Sequence, residues 1–235
     1  MALSEITVSD LETMSAAVNY RQWMFRRLGQ FIGRRILEVG AGIGNFTQLL
    51  LDRELVVASD IHPDCVAYLR RRFAAHDNVV TLEMDAADPA VAQLTRYNLD
   101  TIVCINVLEH VADDLAALRC MFESLGAGGR LVLLVPAFQF LFGSVDRSLS
   151  HHRRYTRRTL LPKIQAAGFC IERSFYMNLV GMFGWLVNNR IAKRAEESPR
   201  QIVFFDRFVA PAAERIERLL APPVGLSLIV VCRRV

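Results

Sequence analysis

Arg35-Ile-Leu-Glu-Val-Gly-Ala-Gly-Ile-Gly44 is the stretch that decides the fold. Its first half, Arg35 to Val39, is a short apolar run stopped by glycines, the pattern of a strand buried on both faces. The alternating glycines allow a tight turn and let a ligand approach the backbone closely. Ligands of open parallel sheets sit at such carboxyl ends. The spacing here is Gly-x-Gly-x-Gly. A dinucleotide fingerprint would need glycine at 45, where Asn45 stands, and a Walker A loop would end in Gly-Lys-Ser/Thr.

On the amino side, Ser9-Asp-Leu-Glu12 is a capping box that predicts a helix to about Leu28, with Met14, Val18, Trp23 and Met24 among its apolar positions. On the carboxyl side the pattern predicts a helix over Asn45–Arg53, a strand over Leu55–Ser59 ending at Asp60, a helix over Pro63–Ala75 and a strand over Val79–Glu83. A strand over Leu99–Ile105 follows, then a helix over Asp113–Leu125 and a strand over Arg130–Val135. A helix over Thr159–Ala167, a strand over Phe169–Phe175 and a last strand over Ser227–Arg233 complete the series. Strands alternating with helices mean βαβ units, so the fold class expected is α/β, a doubly wound, mostly parallel seven-stranded sheet with helices on both faces. Residues 176–226 form a helical insertion before the last strand.

The chain has 235 residues, which suits a single domain. Apolar residues make up 52% and charged residues 22%, which excludes a disordered chain. The net charge of +4 is too mild to argue for nucleic acid. Five scattered cysteines without a Cys-x-x-Cys pair read as small core residues in a reducing cytoplasm, not as a zinc or disulfide framework. Residues 1–10 show no charged start followed by an apolar run, so no signal peptide is expected. The longest near-apolar stretch, Leu179 to Val187, is about half of the ~20 residues a spanning helix needs. A cytoplasmic protein is expected, with peripheral membrane contact left open and oligomeric state undetermined.

Asp60 follows the glycine loop at about the 20-residue spacing where a carboxylate accepts ribose hydroxyls. Asp85, after the third strand, can accept an adenine amino group or simply make an Asx turn. Asn106-Val-Leu-Glu-His110 ends the fourth strand. In this order, Glu38 to Gly44, Asp60, Asp85-Ala86 and Asn106 to Val111 resemble the class I S-adenosylmethionine-dependent methyltransferases, over about Tyr20 to Phe175 plus the last strand. The resemblance implies S-adenosyl-L-methionine as methyl donor. Gly40, Ala41, Gly42, Gly44 and Asn45 would back its methionine part, and Glu38 would help hold the amino group. Asp60 would bind the ribose with Ile61 against adenine, and Asp85 and Ala86 would read the adenine edge. Asn106 and Val107 would contribute backbone at the methionine end. It also implies an antiparallel last strand, a donor-binding core over 31–175 and an N-terminal helical cap over 1–30.

The fourth strand is not followed by the Asn/Asp-Pro-Pro-Tyr/Phe element of nucleobase amino-group methyltransferases. Ser150-His-His-Arg-Arg-Tyr-Thr156 resembles a block of a bacterial subgroup of these enzymes. His151 or His152 would take an acceptor proton, with Tyr155 in reserve, and Arg153 and Arg154 would hold an anionic acceptor. The same block would equally serve to lock a loop over the sheet, with Thr156 capping the next helix. Some family members carry Glu-x-x-Glu-His after the fourth strand for a divalent cation. Here Asn106 replaces the first glutamate and no metal is expected, although His151 or His152 would complete a set with Glu109 and His110.

The acceptor pocket is expected between Tyr20, Trp23 and Phe25 on one side and the insertion from Tyr176 on the other. The insertion interleaves Phe183, Trp185, Phe204 and Phe208 with Arg190, Lys193, Arg194, Arg200 and Arg207. Such a surface suits a small or lipid-like acceptor, or docking on a membrane. Aromatics among arginines can also stack RNA bases, but no RNA-binding module is present and nucleic acid is not expected. The function expected is methyl transfer to a small or lipid-like acceptor at oxygen. The alternatives are a non-catalytic donor-binding module and an N- or C-methyltransferase.

Overall fold

Alternate residues of the central strands enter two separate cores, as period-2 side-chain geometry requires. In the computed structural model, which describes residues 11–12, 15–187 and 199–235, the strands are β1 (Arg35–Val39), β2 (Leu55–Asp60), β3 (Val79–Glu83), β4 (Thr101–Ile105), β5 (Arg130–Pro136), β6 (Phe169–Met177) and β7 (Ser227–Arg234). They form one sheet in the order β3-β2-β1-β4-β5-β7-β6. Pairs among β1 to β5 are parallel, and β7 runs antiparallel to both of its neighbours. This is the expected sheet, including the reversed last strand.

The helices are α1 (Val18–Leu28), α2 (Pro63–Arg72), α3 (Asp114–Ser124), the short α4 (Ser144–Ser148), α5 (Arg157–Ala166), α6 (Leu179–Leu186), α7 (Pro199–Phe204) and α8 (Ala210–Leu219). On one sheet face Leu37, Ile102, Leu131 and Val230 pack with Leu118 and Met121 of α3 and Leu160 of α5. On the other, Ile36, Val103, Val132 and Ile229 pack with Trp23 of α1 and Ala210 and Ala213 of α8. Strand order reverses between β1 and β4, so the crevice for a ligand opens where their loops diverge.

Two local expectations change. The helix expected over Asn45–Arg53 is a single 3-10 turn, Thr47–Leu49. Gly44, at φ 83°, breaks the approach, and the Thr47 hydroxyl is spent on Glu38. Helix α1 starts at Val18, and its neighbour Ala17 offers no capping side chain. Asp206 caps it from afar: its carboxylate accepts from the backbone N–H of Asn19 at 3.1 Å and of Tyr20 at 2.8 Å. Ser9, Asp10, Met14, Arg190, Lys193 and Arg194 lie outside the described residues. Cys170 is exposed, and the other four cysteines are buried as expected.

Candidate active site

The glycine loop turns where a side chain would not fit. Gly40 has φ 71°, and a Cβ there would meet Cγ2 of Val107 at 2.2 Å. The loop after β1 thus lies directly against the loop after β4, with Asn106 itself at φ 52°. Asp60, at the end of β2, ties the turn down: one carboxylate oxygen accepts from Gly42 N–H at 2.8 Å, the other from His62 N–H at 3.0 Å. Asn45 donates to the Leu11 carbonyl at 3.1 Å, so the amino-terminal segment also reaches this loop.

Glu38, at the end of β1, is buried and accepts from the Thr47 hydroxyl at 2.6 Å. Burial pushes its carboxyl up to about 8, opposed by the Thr47 bond and reinforced by nearby Asp60. A bound ammonium would relieve that cost, which fits the donor's amino group. At the other end, a cleft of about 400 Å³ is lined by Ile61, Met84, Asp85, Leu94 and Arg96. Ile61 is exposed there, Ala86 is buried, and Asp85 accepts from Ala87 N–H at 2.9 Å in an Asx turn. The glycine cradle, Glu38 and this cleft fit S-adenosylmethionine laid along the carboxyl edge from β1 to β3.

The loop after β4 leads to the His-His-Arg-Arg-Tyr block. The Glu109 carbonyl accepts from His152 N–H at 2.8 Å, and the His110 and His151 rings meet edge to face at 4.6 Å. Nδ1 of His151 lies 2.9 Å from Oδ1 of Asp146, and the Arg154 Nε–H donates to the same oxygen at 2.7 Å. Burial alone would raise the Asp146 carboxyl, but the bonds from His151 and Arg154 hold it below its ordinary range. His152 is exposed and makes no such contact. Glu109 is fully buried, and neither carboxylate oxygen has a hydrogen-bond partner. Desolvation pushes it up to about 8, only partly offset by its own backbone N–H and by Arg154, while burial and the neighbouring histidines push His110 down to about 4. Single ligand atoms of Glu109, His110 and His151 lie within 4.8 Å of one another.

Several expected site residues are structural. Tyr155 is buried, and its hydroxyl bonds Asp114 at 2.9 Å and the Leu108 carbonyl at 3.1 Å, so it is no reserve base. Burial beside the Asp114 carboxylate drives the phenol far above its ordinary range. Trp23 is 1% exposed and belongs to the core under α8, not to an acceptor pocket. Arg153 pairs with Asp114 at 2.8 Å and Arg154 with Asp146, so neither guanidinium stands free for an anion. Tyr176 is buried, stacked on Phe138 at 4.9 Å with Arg157 on its ring at 4.8 Å. Tyr20 packs edge to face on Trp23 and Phe205. Asp146 is the residue that sequence reasoning missed. Its signal was an acid five residues before a histidine, which is commonplace on a helical surface.

A family model described as "Methyltransferase domain" matches residues 37–131, from the middle of β1 into β5. Residues 37–131 thus carry a methyltransferase domain, on the fold that class I S-adenosylmethionine-dependent methyltransferases share. This methyltransferase is 22% identical over 164 residues to a ubiquinone biosynthesis O-methyltransferase of Aeromonas salmonicida, covering 64% of the chain and 68% of the relative. It is 24% identical over 147 residues to a tRNA U34 carboxymethyltransferase of a Sulfurovum species, covering 61% and 48%. The first curated relatives are matched over only 44% to 68% of their own length. Among solved structures, the N-methyltransferase NodS from Bradyrhizobium japonicum in complex with S-adenosyl-L-homocysteine shares the methyltransferase fold. Its TM-score is 0.56 at 16% identity, covering 92% of this chain and 85% of that one. No helix among the described residues is long and apolar enough to cross a membrane.

Proposed function

We propose that the protein methylates a hydroxyl oxygen of a small or lipid-like acceptor, with His151 as general base. The observation that carries this reading is the Asp146–His151 contact beside the loop after β4. An ionised Asp146 accepting from Nδ1–H fixes the imidazole tautomer and leaves Nε2 as a proton acceptor. S-adenosylmethionine, when bound, supplies an electrophilic methyl group on sulfur. His151 would receive the hydroxyl proton of an acceptor held beside it. Since Arg153 and Arg154 are already paired, a carboxylate acceptor finds none of the expected anchors, which favours a hydroxyl.

The orphaned carboxylate of Glu109 favours a second reading, in which Glu109, His110 and His151 hold a divalent cation that polarises the acceptor oxygen. One experiment separates the two. Release of S-adenosylhomocysteine is measured over a panel of phenols, alcohols, carboxylic acids and transfer RNA, before and after chelation. Turnover on a hydroxyl compound that survives chelation supports the base. Loss on chelation with recovery on adding magnesium or zinc supports the cation, and turnover restricted to RNA or carboxylic acids overturns both.

A further inference from the structure

The helical insertion separates its charges. α7, a π-helical turn at Phe205–Val209 and α8 run on from residue 199 to residue 219, a rod about 30 Å long. Its inner side carries Asp206, Ala210, Ala213 and Glu217, buried at helical spacing. All three acids of the rod have partners on the rest of the fold. Asp206 caps α1, Glu214 takes a bidentate pair from Arg26 at 2.6 Å, and Glu217 accepts from the N–H groups of Asn178 and Leu179.

The opposite side is apolar and cationic. Phe204, Phe208 and Leu219 are 61%, 60% and 84% exposed, and the two phenyl rings touch at 5.4 Å. Arg200, Arg207 and Arg215 are exposed around them, as is Arg218, which also pairs with Glu214 at 3.3 Å. No acid among the described residues of the rod faces outward. The adjoining α6 has no charged side chain and leaves Val180 and Phe183 exposed.

We propose that this outer face docks on an anionic lipid surface. Large apolar side chains bury in the headgroup boundary while arginines bind lipid phosphates, and the rod lies along the plane. Aliphatic Val203, Ile216 and Leu219 offer no ring for a base to stack on, which disfavours RNA as the partner. Helix α6 also touches the His-His-Arg-Arg-Tyr block: Trp185 donates to the Leu141 carbonyl at 3.2 Å, and its ring lies 4.5 Å from the Arg154 guanidinium. The inference stands whichever atom is methylated.

Vesicle sedimentation of the full chain tests it without turnover. The protein should pellet with vesicles of phosphatidylglycerol and phosphatidylcholine at least about tenfold more strongly than with phosphatidylcholine alone, and less so as salt rises. The triple variant Phe204→Ser, Phe208→Ser, Leu219→Ser should lose most of this binding. Replacing Arg207 and Arg215 by Gln should weaken it about fivefold per arginine, and these changes at exposed positions keep the test available if the triple variant misfolds. Equal pelleting with both vesicle types, unweakened binding in the arginine variant, or a wild type that dimerises through this face and ignores vesicles would overturn the proposal.

Discussion

Nδ1 of His151 lies 2.9 Å from Oδ1 of Asp146, and His152, one residue on, pairs with no carboxylate among the described residues. Adjacent residues in extended backbone point apart, so only one of the pair can be held by this acid. Three variants follow from that asymmetry. His151→Ala should lower kcat by about 10²–10⁴ with donor-product affinity unchanged, and His152→Ala should be close to wild type. Asp146→Asn should lower kcat and also melt early, because it leaves the buried Arg154 charge unpaired, a loss of roughly 3–5 kcal/mol. Full turnover in His151→Ala would remove the general base.

Asp60 accepts from the Gly42 and His62 N–H groups, and its carboxylate is the group expected to hold the donor's ribose. Asp60→Ala should weaken S-adenosylhomocysteine binding by about 1.5–3 kcal/mol, read by calorimetry. Unchanged affinity would mean that the carboxylate serves the turn alone.

Gly40 and Val107 are a coupled pair. Gly40→Ala should destabilise the chain and abolish donor binding, because the added Cβ collides with the valine and the backbone has positive φ. Adding Val107→Ala removes the collision but not the strain. The double variant should recover part of the melting temperature and little of the binding, a non-additivity measurable in a double-mutant cycle.

The buried Glu38 makes stability depend on pH. Its folded pKa of about 8 is raised from an ordinary 4.5. Between those values the folded chain holds a proton that the unfolded chain has released, so this group's penalty is absent below about 4.5 and grows as pH rises to about 8. Urea denaturation at pH 5 and pH 8 should show a smaller fall for Glu38→Gln than for wild type. Parallel falls would show that Glu38 ionises freely in the fold.

The strand ends were legible because their chemistry is local. Gly40, Gly42, Asp60 and Asn106 each announce a turn at the end of an apolar run, and sheet topology then gathers them at one edge. The His-His-Arg-Arg-Tyr block was legible as a motif but not in its contacts. Nothing local distinguishes His151 from His152, or Arg154 as a buried partner of Asp146 from an anchor for an acceptor, since tertiary contacts decide both. Trp23 reads as a pocket aromatic until the packing of α8 over α1 encloses it. Thr47 looks helical until its hydroxyl is claimed by Glu38.

Asp206 reaches back 187 residues to close the first turn of α1. Ribosomes extend a chain at about 5–20 residues per second, so α1 emerges roughly ten to forty seconds before its cap exists. Throughout that interval its leading N–H groups have only water as partner, and the sheet face beneath still lacks α8. A nascent chain arrested short of residue 206 would therefore display an unfinished helix and an uncovered apolar face, the kind of surface that chaperones hold.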